Sequence, residues 1–512
     1  MFSAVARRRL AGLILASTVV ARPAASAPAP EVSLAFDPAR FTARTATLFG
    51  KSIAYRAYEG IVYVRRPVDP AYQRLSLYVP AAYYEGRSVG GYDAQSAPIF
   101  FPNSVGGYMP SLPSSPGPGR DGGPNALLVA LARGFVVAAP GTRGRTSQDA
   151  AGRYTGKAPA AIVDLKAAVR YLRLNDSWIP GDAKKIVSSG TSAGGALSAL
   201  LAASGNDPAY EPYLKAMGAA DARDDVYAAS VYAPITDLDH ADMAYEWQFA
   251  GVNDFTRRVF EGPPPGAPPD LGDRLEGPAT LPPPAPAQAS GTLTAAQVEL
   301  SRALAAGFPA YLNSLGLTRA DGSPLTLGPD GNGSFKELVK AQVIASAQRA
   351  LAGGADLSSV AWVAVADGKV TDVDLDRYVR SIQRLKPTPA FDGVDLGTGE
   401  NELFGSETVK ARHFTPFGEQ HSTVPAPLID RSVVSLMNPL RSLGGAGVTT
   451  ARFWRIRHGM TDRDTSLAVP VILATRLANT GREVDFALPW GVGHGGDYDL
   501  DELFDWMARV CR

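Results

Sequence analysis

The chain has 512 residues, 50 basic against 50 acidic side chains, and 45% hydrophobic residues, enough to bury a large core in one big or two ordinary domains. A net charge of zero, with no long basic run outside the extreme N-terminus, removes the electrostatic case for nucleic acid or an anionic membrane as partner and points to a small, neutral substrate. The only cysteine, Cys511, leaves no internal disulfide and no multi-cysteine metal site.

The first 27 residues carry three arginines, an apolar run from Leu10 to Val20 and small residues around Ala24 to Ala27, the layout of a secretory signal peptide. The run is too short for a stable membrane anchor, so the expectation is an exported mature chain, periplasmic or extracellular, starting near position 28. From about 72 to 235, short β-rich runs alternate with helical stretches. RLSLYVPAAYY, APIFFPNS and FVVAAPGTRG read as strands closed by Pro, Gly or Asn, and 160–175 has apolar residues at helical spacing. KKIVSSG is the next strand, GGALSALLAASG a small-residue helix and VYAASVYAPI another apolar strand. Such alternation predicts a parallel sheet covered on both faces.

The alternation then breaks. Ten of the 24 residues between 263 and 286 are proline, which cannot sustain a helix or a central strand. Helical segments follow, with Thr294/Gln297 and Ser334/Glu337 spaced as capping boxes, and Asp367-Gly368 predicts a hairpin turn. ARFWRIRHG, SLAVPVILATRLANTG, EVDFALPW and DLDELFDWMARV restore the strand and helix alternation. The predicted organisation is an α/β domain in two parts, 28–236 and 450–512, interrupted by a large, mainly helical insertion over 237–449 that would act as a lid.

Gly190-Thr191-Ser192-Ala193-Gly194 falls between a predicted strand and a predicted helix, the setting of a nucleophile on a sharp turn flanked by glycines. The N–H of Ala193, at the helix N-terminus, is then an oxyanion donor, and Gly106 or Gly107 in PNSVGGYMP supplies the second. Serine needs a base, and of five histidines His494 lies in the glycine-rich loop after the last strand, where this fold delivers one. His240, His413 and His421 fall in the insertion, and His458 stands before the acid loop, all better suited to structural roles. The acid belongs after the penultimate strand, and the H-G-x-x-D pattern of His458 to Asp462 selects Asp462. Ser192, Asp462, His494 is the α/β-hydrolase chain order. No metal and no cofactor is required.

Asp464, two residues past the acid, has several explanations on chemistry alone. It can cap the helix beginning near Leu467, in competition with Thr465 and Ser466, pair with Arg463 or Arg457, or serve the site.

Together, PNSVGGYMP, GTSAGGALSALLAASG, LKPTPAFDGVDLGTGENELFG and RHGMTDRDTS resemble the bacterial tannases, serine esterases that cleave galloyl esters. The likeness runs over most of the mature chain and is weakest across the proline-rich segment. It implies a triad at Ser192, Asp462 and His494. It also implies that Lys386, Glu400 and Asp464 hold the galloyl hydroxyls, giving Asp464 a substrate to bind. Three adjacent phenols can each donate and accept, so two carboxylates and an ammonium satisfy them with charge-assisted bonds. The alternatives are a feruloyl or other aryl esterase and, in a different class, a non-catalytic binding protein on a hydrolase scaffold.

Overall fold

The computed structural model describes residues 31–119, 122–258 and 288–512, so the expected signal peptide and the proline-rich stretch lie outside the described residues. Residues Val32–Arg512 form one compact unit. Its strands are β1 (Thr42–Leu48), β2 (Lys51–Val62), β3 (Arg74–Pro80), β4 (Pro98–Pro102), β5 (Val136–Pro140), β6 (Asp182–Thr191), β7 (Ala228–Tyr232), β8 (Asp254–Arg258), β9 (Gln288–Thr292), β10 (Val363–Ala366), β11 (Lys369–Val373), β12 (Phe453–Arg457) and β13 (Glu483–Ala487).

Nine strands make one sheet in the order β1-β2-β3-β5-β4-β6-β7-β12-β13. Pairing is antiparallel from β1 to β5 and parallel from β5 to β13. The strands VVAAP, AASVY and FWRIR are buried along their whole length, as expected where helices cover both faces of a parallel sheet. Helix Ala193–Ala203 is built from Gly, Ala, Ser and Leu and is buried throughout, which lets it lie close on β6 and β7. Burying Arg455 and Arg457 of β12 requires partners, which Asp499 and Asp485 provide. This is the α/β-hydrolase arrangement, and β6, β12 and β13 all deliver the following loop to the carboxyl edge of the sheet, where such folds place their sites.

Chain 237–449 divides between two hydrophobic clusters. Ala390, Phe391, Leu403 and Phe404 join the core around the main sheet. Helices Ala295–Ser314, Ser334–Ala352 and Leu375–Ile382 build the second cluster together with one side of helix Ala468–Asn479. Two small sheets, β8-β9 and β10-β11, accompany the helices, and the β10-β11 turn is Asp367-Gly368 with positive φ at both residues, as predicted. The capping box at Thr294 and Gln297 forms. The one expected at Ser334 does not: Gly333 occupies the cap, and the Ser334 hydroxyl instead accepts from the Thr326 N–H and donates to the Pro324 carbonyl. No helix among the described residues is long and apolar enough to cross a membrane.

Candidate active site

Ser192 stands alone between the last residue of β6 and the first of helix Ala193–Ala203, with φ 60° and ψ −125°. An L-residue held there costs on the order of 1–3 kcal/mol, so its surroundings must fix it. The Ser192 N–H donates to the Tyr232 carbonyl at 3.0 Å, and its own carbonyl accepts from the Ala196 N–H at 2.8 Å. A Cβ on Gly194 would lie 2.7 Å from both Asn103 Oδ1 and the Val105 carbonyl, so glycine is what lets the loop after β4 close on the elbow. Asn103 fastens that loop: its Nδ2 lies 3.2 Å from the Ser189 carbonyl, 3.0 Å from the Gly194 carbonyl and 2.8 Å from Ser198 Oγ. Gly106 and Gly107 follow it, and the buried Tyr108 is also held at a positive φ of 56°. The Ala193 N–H lies in the first helical turn, where no intrahelical acceptor exists for it.

The structure brings His494 and Asp462 together at the sheet edge. Nδ1 of His494 is 2.9 Å from Asp462 Oδ2, and the Asp464 N–H donates to Asp462 Oδ1 at 2.8 Å, so each oxygen of the buried carboxylate has a donor. Burial disfavours the Asp462 charge, but the imidazoles of His458 and His494 and the Asp464 N–H outweigh it and hold the carboxyl at about 2. Burial likewise opposes charge on His494, yet Asp462 and then Asp464 raise it above its ordinary value while Lys386 pulls the other way. The histidine loop packs against the residue preceding Ser192, since a Cβ on Gly496 would fall 2.0 Å from Thr191 Oγ1. His458 lies fully buried, its Nδ1 3.7 Å from Asp462 Oδ2, and burial lowers its pKa.

Asp464 does not cap the following helix. Ser466 Oγ accepts from the Ala468 N–H and Gln248 Oε1 from the Leu467 N–H, while Arg457 turns to Asp485 and Arg463 to the Ile382 carbonyl. Asp464 instead sits 3.8 Å from Lys386 Nζ and 3.7 Å from His494 Nδ1. Tyr245, in helix Leu238–Phe249, fixes this approach. Its hydroxyl donates to the Arg463 carbonyl at 3.0 Å and accepts from the N–H groups of Leu385 and Lys386 at 3.1 Å each. The Lys386 ammonium lies 4.1 Å above the Phe391 ring. Glu400 is in the short helix Gly399–Leu403, whose cap Thr398 accepts from the Asn401 N–H. Burial first, and the Glu400 charge second, push the Tyr108 phenol above its ordinary range.

A second Asp-His-Ser chain competes on distance alone. His413 Nδ1 is 2.7 Å from Asp392 Oδ1, and its Nε2 is 2.8 Å from Ser422 Oγ. It lacks the rest of the machinery. Ser422 follows no strand, and the neighbouring donors are engaged, Thr423 N–H with the Val394 carbonyl and Val424 N–H with Ser422 itself. Asp392 accepts from Asn401, Thr415 and Phe414 besides His413, which marks it as an internal anchor. Among the described residues two groups offer ligand atoms within 4.8 Å of one another, Asp237 with Asp239 and His240, and Asp462 with Asp464 and His494. In both the imidazole Nδ1 is already engaged by a carboxylate, so a cation would have to displace that bond.

Sequence reasoning missed Asn103 and Tyr245. Asn103 had a signal, an Asn closing a strand directly before the glycine pair. Tyr245 had none, being one aromatic in an ordinary helix.

Residues 123–256 match the family model BD-FAE. The tannase of Fusobacterium nucleatum is 47% identical, with a TM-score of 0.87 over 94% of this chain and 100% of that one. A tannin acyl hydrolase solved in complex with ethyl gallate is 46% identical, with a TM-score of 0.85 over 94% of this chain and 99% of that one. The esterase LipQ of Mycobacterium tuberculosis is 38% identical over 100 residues, a match spanning 20% of this chain and 23% of that protein.

Proposed function

Because the chain belongs to the bacterial tannase family, whose members are carboxylic ester hydrolases, we propose that it hydrolyses galloyl esters to gallic acid through Ser192, His494 and Asp462. With Nδ1 of His494 committed to Asp462, Nε2 is the base. It takes the Ser192 proton as Oγ attacks the ester carbonyl carbon, and the N–H of Ala193 with Gly106 or Gly107 receives the negative oxygen. Collapse breaks the ester bond and expels the alcohol, which leaves with the proton from His494. Water then repeats the sequence on the acyl-enzyme, releasing gallic acid and restoring Ser192.

One observation carries the galloyl reading: Asp464 stands within 3.8 Å of both the Lys386 ammonium and the imidazole bonded to Asp462. A ring whose hydroxyls bond Asp464, Lys386 and Glu400 has its carboxyl end beside the base. Chain 237–449, read as an insertion, forms the wall that carries Lys386 and Glu400. The N-terminal arginines, apolar run and small residues support export to the periplasm or beyond the cell.

The purified mature protein is expected to cleave methyl gallate well above methyl ferulate, because a site built to bond hydroxyls leaves its own groups unpaired with the methoxylated ring. Equal rates, or preference for ferulate, would favour the feruloyl esterase alternative. Ser192→Ala should abolish turnover, a loss of about 10⁵-fold or more, while Ser422→Ala should leave it intact. Gallate binding without turnover in the unmodified protein would favour a binding role.

A further inference from the structure

Arg145 lies in the loop after β5 and touches two pieces of the site at once. Its N–H donates to the Tyr108 carbonyl and its Nε to the Gly107 carbonyl, both at 2.8 Å, so it grips the glycine loop through two successive carbonyls. Its Nη1 donates to Glu402 Oε2, on the helix that carries Glu400. A Cβ on Gly399, the first residue of that helix, would fall 3.2 Å from the guanidinium carbon, so the helix N-terminus lies directly on Arg145. Arg145 and Glu402 side chains are 20% and 17% exposed, shielded enough for the pair to hold its geometry.

We propose that Arg145 is a positioning residue that locks the oxyanion loop to the Glu400 helix, so that grasping the galloyl ring and receiving the oxyanion share one rigid piece. The inference rests on the assignments of Gly106, Gly107 and Glu400 made above. Its chemistry is that of a planar fork: one guanidinium edge serves a loop carbonyl and another a carboxylate, which a lysine cannot do together. Glu400 directly follows Gly399, the residue that lies on the guanidinium, and its charge partly offsets the effect of burial on Arg145. A ring pulling on Glu400 therefore pulls on a helix tied to the donors of the oxyanion hole. Displacing such donors by about 1 Å costs on the order of 10²-fold in rate.

The test is a cycle of Arg145→Met, Glu400→Gln and the double variant, assayed on methyl gallate and phenyl acetate. Arg145→Met should lower kcat on phenyl acetate about tenfold through the slack loop, and kcat/KM on methyl gallate by about a further tenfold. Glu400→Gln should cost methyl gallate more than phenyl acetate. The double variant should lose less on methyl gallate than the product of the single losses, because one assembly is broken twice. Arg145→Lys, which keeps the charge beside Glu402 without the fork, should recover part of the gallate loss and little of the phenyl acetate loss. Glu402 retains Lys410 at 3.1 Å, so Arg145→Met leaves no orphaned carboxylate, and Glu402→Gln opens the same clamp from the other side. Unchanged kcat on phenyl acetate in both clamp variants, or losses that multiply in the double variant, overturns the proposal. Equal losses on the two substrates in Glu400→Gln overturns the galloyl reading instead, with the phenyl acetate arm still reporting on the loop.

Discussion

Asp462 and Asp464 are separated by one residue and do different work because one is wholly buried and the other is open to the site. The difference can be measured through the residue they share. Asp464 raises the His494 pKa without holding its ring, since the hydrogen bond at Nδ1 belongs to Asp462. In the proposed mechanism His494 must be neutral to act as base, so kcat/KM should rise with pH along a limb centred above 6.5, the ordinary histidine value. Asp464→Asn removes a negative charge 3.7 Å from the ring. The imidazolium then loses stabilisation, its pKa falls, and the limb moves to lower pH. Phenyl acetate is the substrate for this measurement, because it offers no ring hydroxyl and keeps recognition out of the profile. A limb that stays in place would mean that Asp464 is screened from the base.

The elements that carry the site are short connections at the carboxyl edge, and Asn103 joins two of them. Its amide spans the loop after β4, the end of β6 and the first turns of helix Ala193–Ala203. Asn103→Ala should lower kcat about tenfold or more on methyl gallate and on phenyl acetate alike, leaving their ratio unchanged, because elbow and oxyanion loop lose register for any ester. A change in that ratio would place Asn103 in recognition. The strands and helices around these loops were legible because period and punctuation are local. β6, helix Ala193–Ala203, β12 and β13 lie where their apolar runs ended at Gly, Pro or Asn, and the order Ser192, Asp462, His494 followed from them. The failed cap at Ser334 shows the limit of a local rule. The pattern fitted, but the hydroxyl had partners eight and ten residues upstream that the pattern does not contain. Tyr245 and Arg145 were illegible for the same reason at longer range, since the partners of Tyr245 and the Glu402 partner of Arg145 lie more than 100 residues away and nothing in their own neighbourhoods marks them.

At the scale of the whole molecule, helix Leu238–Phe249 makes the chain 384–392 a fixture of the main core, and it does so with acidic groups whose charge depends on pH. Glu246 pairs with Arg384, Tyr245 holds Lys386, and Asp242 accepts the N–H groups of Phe391 and Asp392 at 2.8 Å each. Burial, and then the neighbouring Asp392 and Glu246 charges, raise the Asp242 carboxyl from 3.8 to about 7 despite those N–H donors. Between about pH 4 and 7 the folded chain therefore keeps a proton on Asp242 that the unfolded chain has released, and the stability this group contributes falls as pH rises across that window. His240 acts in the same direction further up. Burial opposes its charge, but Asp237 and Asp239 raise it to about 9, so its contribution is complete below 6.5 and is lost as pH climbs through 9. On the acid side Asp462 and Asp239, both held at about 2, lose their contributions as pH falls below their ordinary 3.8. His458, whose pKa burial lowers, works the other way and adds stability as pH rises toward 6.5, and the melting temperature should decline from there toward pH 9. Asp242→Asn should lower it at acid pH, because an amide accepts only one of the two N–H groups, and should flatten the decline between 4 and 7. The part removed is on the order of 4 kcal/mol. If the slope in that window is the same in both proteins, Asp242 keeps its charge when buried, and its two N–H donors outweigh burial and the acids beside it.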